Sequence, residues 1–171
     1  MILPIYKMGS ECLKIVSTEV EPDEFGSEPL DQLIQNMHET LIDSGGVGLA
    51  APQIGVNKRI LLIEYTGSKI TRYSDIGDCA LKVIINPKIE FIGNEYTAFN
   101  EGCLSLPNLR GEVIRPKALK YSYYDQFGKQ HSGEDNAFFA RVLQHELDHL
   151  DGILYPMRMH DISKLSYADI I

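Results

Sequence analysis

The segment Gln144-His145-Glu146-Leu147-Asp148-His149-Leu150 holds three residues whose types and spacing could do chemistry. In a helix, His145 and His149 lie four residues apart and project from one face. Two imidazoles so placed can bind one divalent metal ion, and Glu146, next to the first, can reach a water on that ion. The chemistry on offer is metal-assisted hydrolysis. A buried helix whose histidines are satisfied by hydrogen bonds would carry the same letters, so the rest of the chain has to discriminate.

A catalytic site of this kind takes three protein ligands and leaves one position for water. A third histidine six residues beyond the second, the metzincin form, would fall on Tyr155, so that pattern fails. Thermolysin-like sites use a later glutamate, but the 22 residues after His149 contain none, and Asp161 and Asp169 are poor substitutes by position. Upstream, Glu101-Gly102-Cys103-Leu104-Ser105-Leu106-Pro107 offers Cys103, and a thiolate is a strong ligand for a borderline divalent metal. Cys12 and Cys79 read as plain thiols, since three widely spaced cysteines are no disulfide framework.

The element carrying the motif is predicted to start at an Asp135 or Asn136 cap and to end at Gly152. Phe138, Val142, His145 and His149 share one stripe; Phe139, Leu143, Leu147 and Leu150 share the next. So wide an apolar face predicts a helix buried inside the domain, a dry and rigid setting for a metal. An earlier helix opens at Ser27-Glu28-Pro29, repeats Leu30, Leu33, Ile34, Met37, Leu41 and Ile42 at helical period, and stops at Gly45-Gly46. His38 reads as a half-exposed residue on it.

Residues 46–55 are glycine-rich, but no Lys-Ser or Lys-Thr follows as a phosphate loop requires, so the small residues point to close approach of backbone to a ligand or another element. Strands are expected over 59–64 and 82–86, the second broken by Pro87 and resumed over 88–92, with 95–100 folding back as a hairpin across Gly93-Asn94. Residues 65–80 read as a surface loop and the most mobile part of the chain. Residues 118–125 alternate, with Leu119, Tyr121 and Tyr123 on one face, and return through His131, read as exposed. A short last helix is expected over 161–171.

The 171 residues suit a single domain spanning 1–171, with 44% hydrophobic and 23% charged residues. A net charge of −8 argues against a general nucleic-acid or anionic-membrane binder. The start lacks a basic stretch, an apolar core and a cleavage site, and no apolar run approaches a membrane span. The expectation is a soluble, cytoplasmic protein with no specific DNA partner.

Three segments together, Gly46-Val47-Gly48-Leu49-Ala50-Ala51-Pro52-Gln53, Glu101-Gly102-Cys103-Leu104-Ser105 and Gln144-His145-Glu146-Leu147-Asp148-His149, resemble the signature motifs of the peptide deformylase family in order and spacing. The resemblance implies an α+β fold with antiparallel sheets around the metal-bearing helix. It implies removal of the formyl group from the N-terminal methionine of nascent chains. It implies Cys103, His145 and His149 as ligands of one ion, iron(II) natively, with zinc, nickel or cobalt also able to occupy the site. Glu146 would be the acid–base group, with the Gln53 amide and the Leu104 N–H donating to the formyl oxygen. Backbone near Val47, Gly48 and Gly102 would pair with an extended peptide. Val47, Phe138, Val142 and His145 would surround the methionine side chain, and Arg110 would lie near the substrate backbone.

The chain also departs from the family. Cys12 in Glu11-Cys12-Leu13-Lys14 stands at or beside a usual proline. The tail is not basic, which argues against the ribosome contact some members make. The competing readings are a small zinc peptidase and a binding protein without activity.

Overall fold

The computed structural model describes residues 1–67 and 76–170. Helix α1 spans Glu28–Ser44. Ser27 Oγ accepts from Leu30 N, Pro29 occupies the first turn, and Gly45 closes the helix at φ +65° with its N–H on Ile42 O. Leu30, Ile34, Met37 and Leu41 form its buried face. Ile42, expected on that stripe, is 64% exposed. His38 on the same helix is partly buried and contacts Glu64 at 2.6 Å.

Six antiparallel strands follow: β1 Gly48–Ala50, β2 Ile60–Thr66, β3 Asp78–Cys103, β4 Leu106–Tyr124, β5 Gln130–Asp135 and β6 Leu165–Tyr167. They form one sheet in the order β1-β2-β3-β4-β5, with β6 added to β4, rather than separate sheets. Helix α2, Phe138–Leu150, covers one face and α1 the other. In β2, Leu61 and Ile63 pack with Phe139, Ala140, Leu143 and Leu150 of α2, while Ile60 and Leu62 pack with Ile34, Met37 and Leu41 of α1. A strand buried on both faces needs an unbroken apolar run, and Ile60-Leu61-Leu62-Ile63 is that run.

Three expectations are overturned. Residues 88–100 do not fold back as a hairpin: β3 is one strand of 26 residues, and both halves pair with β4, as at Ile89↔Tyr121 and Ala98↔Ile114. Gly93, at φ +69°, sits in a register shift between Ile92 and Tyr96, so the glycine makes a bulge rather than a turn. A fold-back would leave the first half of β4 without ladder partners on that side.

Pro87 does not interrupt the strand either. Asn86 takes φ +50° beside it and the register slips between Ile85 and Lys88. The Asn86 amide accepts from Val20 N and donates to Val20 O, both at 2.9 Å, which pins the N-terminal segment to the sheet.

Third, residues 161–170 form no α-helix. A short 3₁₀ turn, Ile162–Lys164, leads into β6, which pairs with Leu109–Gly111. An isolated helix of that length is marginal in water, whereas a strand gains partners already held in place by β4.

The expected 65–80 loop is shortened from both ends, because Thr66 pairs with Asp78 and Tyr65 with Cys79, which is buried; residues 68–75 lie outside the described residues. His131 is less exposed than expected: it stacks on Tyr123 and contacts Asp125 at 2.8 Å. Among the described residues, no helix is long and apolar enough to cross a membrane.

Candidate metal and substrate site

Helix α2 begins where Asp135 Oδ1 accepts from Ala137 N and Ala140 N, so the expected capping residue acts from just outside the helix. Two turns on, His145 and His149 stand with ring centroids 5.1 Å apart. Cys103, the last residue of β3, brings its Sγ to 3.2 Å from His149 Nε2. One ligand atom from each of Cys103, His145 and His149 lies within 4.8 Å of the others. Burial pushes the Cys103 thiol up, but the charge and hydrogen bonds of the two imidazoles outweigh it and hold the thiol well below its ordinary range. Ser105 N donates to the same sulfur at 3.4 Å. A soft thiolate and two imidazoles meeting at one point suit a borderline divalent ion.

Glu101 sets the orientation of His145. Its Oε2 lies 2.9 Å from His145 Nδ1, which leaves Nε2 as the ring's ligand atom. Arg115 grips Glu101 with two bonds, Nε to Oε1 at 2.7 Å and Nη2 to Oε2 at 3.0 Å, and sends Nη1 to Asp148 Oδ2 at 2.8 Å. Arg141 Nη1 adds a further donor to Glu101 at 2.8 Å. Arg158 reaches Asp148 from the C-terminal side at 2.7 Å. Glu101, Arg115, Arg141 and Asp148 are all buried. Burial favours the neutral acid of Glu101, yet His145 and Arg115 hold its carboxyl well below the usual carboxylate range.

Glu146 lies beside this cluster in different surroundings. Burial raises its carboxyl to about 7, and its Oε2 has no hydrogen-bond partner among the described residues. Such a group is poised to take and give a proton near neutral pH. Its carboxylate rests against Gly48, where a Cβ would stand within 2.8 Å of the Glu146 Cδ.

Gln53 is held by a short turn after β1. Ala50 N donates to its Oε1 at 2.8 Å, so the amide nitrogen must face the other way. Nε2 bonds Ser105 Oγ at 3.1 Å and lies 3.6 Å from the Cys103 sulfur.

These groups open into a cavity of about 310 Å³. Val47, Gly48, Gln53, Gly102, Cys103 and Leu104 line it, and so do Arg110, Phe138, Val142, His145 and Glu146. The twelfth sequence-predicted site residue, His149, sits behind the wall, 1% exposed. The Arg110 guanidinium lies on Gly102, in the space a Cβ there would fill, and its Nη1 donates to Leu109 O at 2.7 Å. Leu104 rests on Gly46, again where a Cβ would stand.

Sequence reasoning missed Phe99, Pro107 and Asn108 of the lining, together with the roles of Glu101, Ser105, Arg115, Arg141 and Asp148. For Arg115 a signal existed: it shares strand parity with Val113 and Leu119, so a charge was being placed on the inward face.

A family profile described as polypeptide deformylase matches residues 2–165. Peptide deformylase 1 of Nitrosomonas europaea is 41% identical over 171 residues, covering all of this chain and 95% of that protein. Peptide deformylase of Fusobacterium nucleatum is 40% identical over 164 residues, covering 96% and 87%. A crystal structure of class I type b peptide deformylase from Acinetobacter baumannii with Met-Ala-Ser bound superposes with a TM-score of 0.87 at 36% identity, covering 93% and 99%. One from Synechococcus elongatus in complex with actinonin gives 0.81 at 31%, covering 95% and 81%. The chain belongs to the polypeptide deformylase family, metal-dependent hydrolases that remove the N-formyl group from nascent peptides.

Proposed function

We propose that Cys103, His145 and His149 hold one divalent ion in this chain and that Glu146 carries the proton of deformylation. The observation that carries this reading is the convergence of those three ligand atoms within 4.8 Å beside a buried Glu146, at the wall of one cavity. Iron(II) is the proposed native ion; zinc, nickel and cobalt suit the same donors. A bound ion supplies a Lewis acid that makes water nucleophilic near neutral pH.

The residues supply the rest. Glu146 takes a proton from the attacking water and delivers it to the departing amine, so that the formyl C–N bond breaks, formate leaves and the methionine amine is freed. Its elevated carboxyl pKa, near 7, supports both halves of that transfer. Gln53 Nε2, fixed by the Ala50 N–H, and the Leu104 backbone N–H donate to the formyl oxygen as charge develops there.

Val47, Phe138, Val142 and His145, joined by Phe99, form the apolar part of the cavity and receive the methionine side chain. Backbone at Val47, Gly48 and Gly102 pairs with the extended peptide as an added strand, and Arg110 lies over its course. Met-Ala-Ser, bound in the Acinetobacter baumannii protein, is the product expected from a formylated tripeptide. The proposed setting is the cytoplasm, the proposed substrates are formylated nascent chains, and the whole of 1–171 acts as one catalytic domain. The described tail forms a strand instead of a basic helix, so docking to the ribosome is no part of the proposal.

The test compares formate release from formyl-Met-Ala-Ser with release from its acetylated counterpart, using anaerobically iron-loaded protein and a chelated control. Release confined to the formyl peptide and lost on chelation is the expected result. Metal retention without release would overturn the deformylase reading in favour of a zinc peptidase or a binding protein without activity, and cleavage of internal peptide bonds would single out the peptidase. Cys103→Ser is expected to lower bound metal measured by elemental analysis.

A further inference from the structure

We propose that strand β6 is a positioning element for substrate: it braces the cavity wall made by Pro107, Asn108 and Arg110, and so sets the grip on residues that follow the formylated methionine. This rests on the reading of the cavity given above. The wall is the first stretch of β4, whereas Phe138 and Val142, the residues assigned to the methionine side chain, come from α2. Pro107, Asn108 and Arg110 all line the cavity.

From the outside, β6 pairs Tyr167 with Leu109, Ser166 with Arg110 and Leu165 with Gly111. Just beyond it, Ala168 N donates to Asn108 O at 2.8 Å. Asn108 has φ +62°, a left-handed conformation that non-glycine residues seldom adopt and keep only when their surroundings hold them. The bond from Ala168 supplies such a hold on Asn108; two residues on, the Arg110 guanidinium lies on Gly102 with Nη1 on Leu109 O and ties the same stretch to the end of β3. Leu165 also packs with Leu109 and Met159 in a small apolar cluster that includes Cys103, and Lys164 pairs with Glu112. The chain end is therefore attached to the wall at every residue from 108 to 112.

A rigid wall here would be felt by a peptide long enough to reach it and not by a formylated methionine alone. Ala168→Pro in the full chain removes the N–H that donates to Asn108 O, at a position that is not buried; Ala168→Gly keeps it. The expected result for Ala168→Pro is a KM for formyl-Met-Ala-Ser raised about fivefold to tenfold, the scale of one lost ordering hydrogen bond. Its kcat, and both constants for formyl-Met amide, should stay unchanged, and Ala168→Gly should behave as the parent. Equal effects on both substrates, or none on either, would overturn the role of β6.

Hydrogen exchange on the unmodified protein decides the matter even where the proline variant fails to fold. Amides of 166–168 should exchange more slowly with Met-Ala-Ser bound than with methionine amide, and identical exchange would overturn the proposal. No formate release by the metal-loaded parent from either substrate would overturn the reading of the cavity itself, and the role of β6 with it.

Discussion

Glycines at two positions fix where the reactive and binding side chains can be. Gly48 leaves the space in which the Glu146 carboxylate rests, and Gly102 leaves the space for the Arg110 guanidinium. Gly48→Ala is expected to push the acid out of line and lower kcat by about 10-fold to 100-fold, the scale of a displacement near one ångström at a reacting group, with bound metal unchanged. Steady-state kinetics together with metal analysis checks both parts. Glu146→Ala should also keep the metal and should lose about 10²-fold or more in kcat, as for a positioned acid–base group. The His-Glu-x-x-His spacing was legible because its geometry is local to one helix. Glu101 was visible only as a letter of a motif: its partners His145, Arg115 and Arg141 come from α2 and β4, and no spacing rule links them.

At the scale of elements, legibility followed how local the determinants are. Helix α1 was readable because cap, proline, periodicity and terminal glycine all lie within its own span. The two misread points of β3 depended on a distant partner: Gly93 and Pro87 are turn and break signals, but pairing with β4 converts each into a bulge. The C-terminal residues were misread for the same reason, since nothing in 161–171 reveals an open edge at Leu109–Gly111. Asn86 makes the point testable. It combines a positive φ with two buried hydrogen bonds to Val20. Asn86→Ala is expected to cost about 2–4 kcal/mol, because it strands a buried N–H and C=O and retains the backbone strain. Urea unfolding of the metal-free protein measures it, and a cost under about 0.5 kcal/mol, the range of an ordinary surface change, would remove Asn86 as the pin between the N-terminal segment and the sheet.

Across the whole molecule, the buried charges join the site to the fold. Arg115 from β4 holds Glu101 of β3 and Asp148 of α2 at once, and Arg158 ties the chain after α2 to the same Asp148. The group that positions His145 is thus also part of what holds helix to sheet, so site geometry and stability should fail together in acid. Glu101 is held below the ordinary carboxylate range in the folded chain and returns to about 4.3 when unfolded. A group with a depressed folded pKa contributes its full stability above the unfolded value, and that contribution is lost as pH falls from there toward the folded value. Metal-free protein is therefore expected to lose unfolding free energy steadily below about pH 4.3. Glu101→Gln removes the titrating group but leaves Arg115 and Arg141 buried beside a neutral amide, which should cost about 3–5 kcal/mol at neutral pH. Its stability should then vary less with pH than the parent's over the acid range, so the two curves converge as pH falls. Urea titrations of both proteins at a series of pH values, with chelator present so that loss of metal does not enter, would show this. Parallel curves would mean that other carboxylates govern acid unfolding and that Glu101 acts on His145 alone.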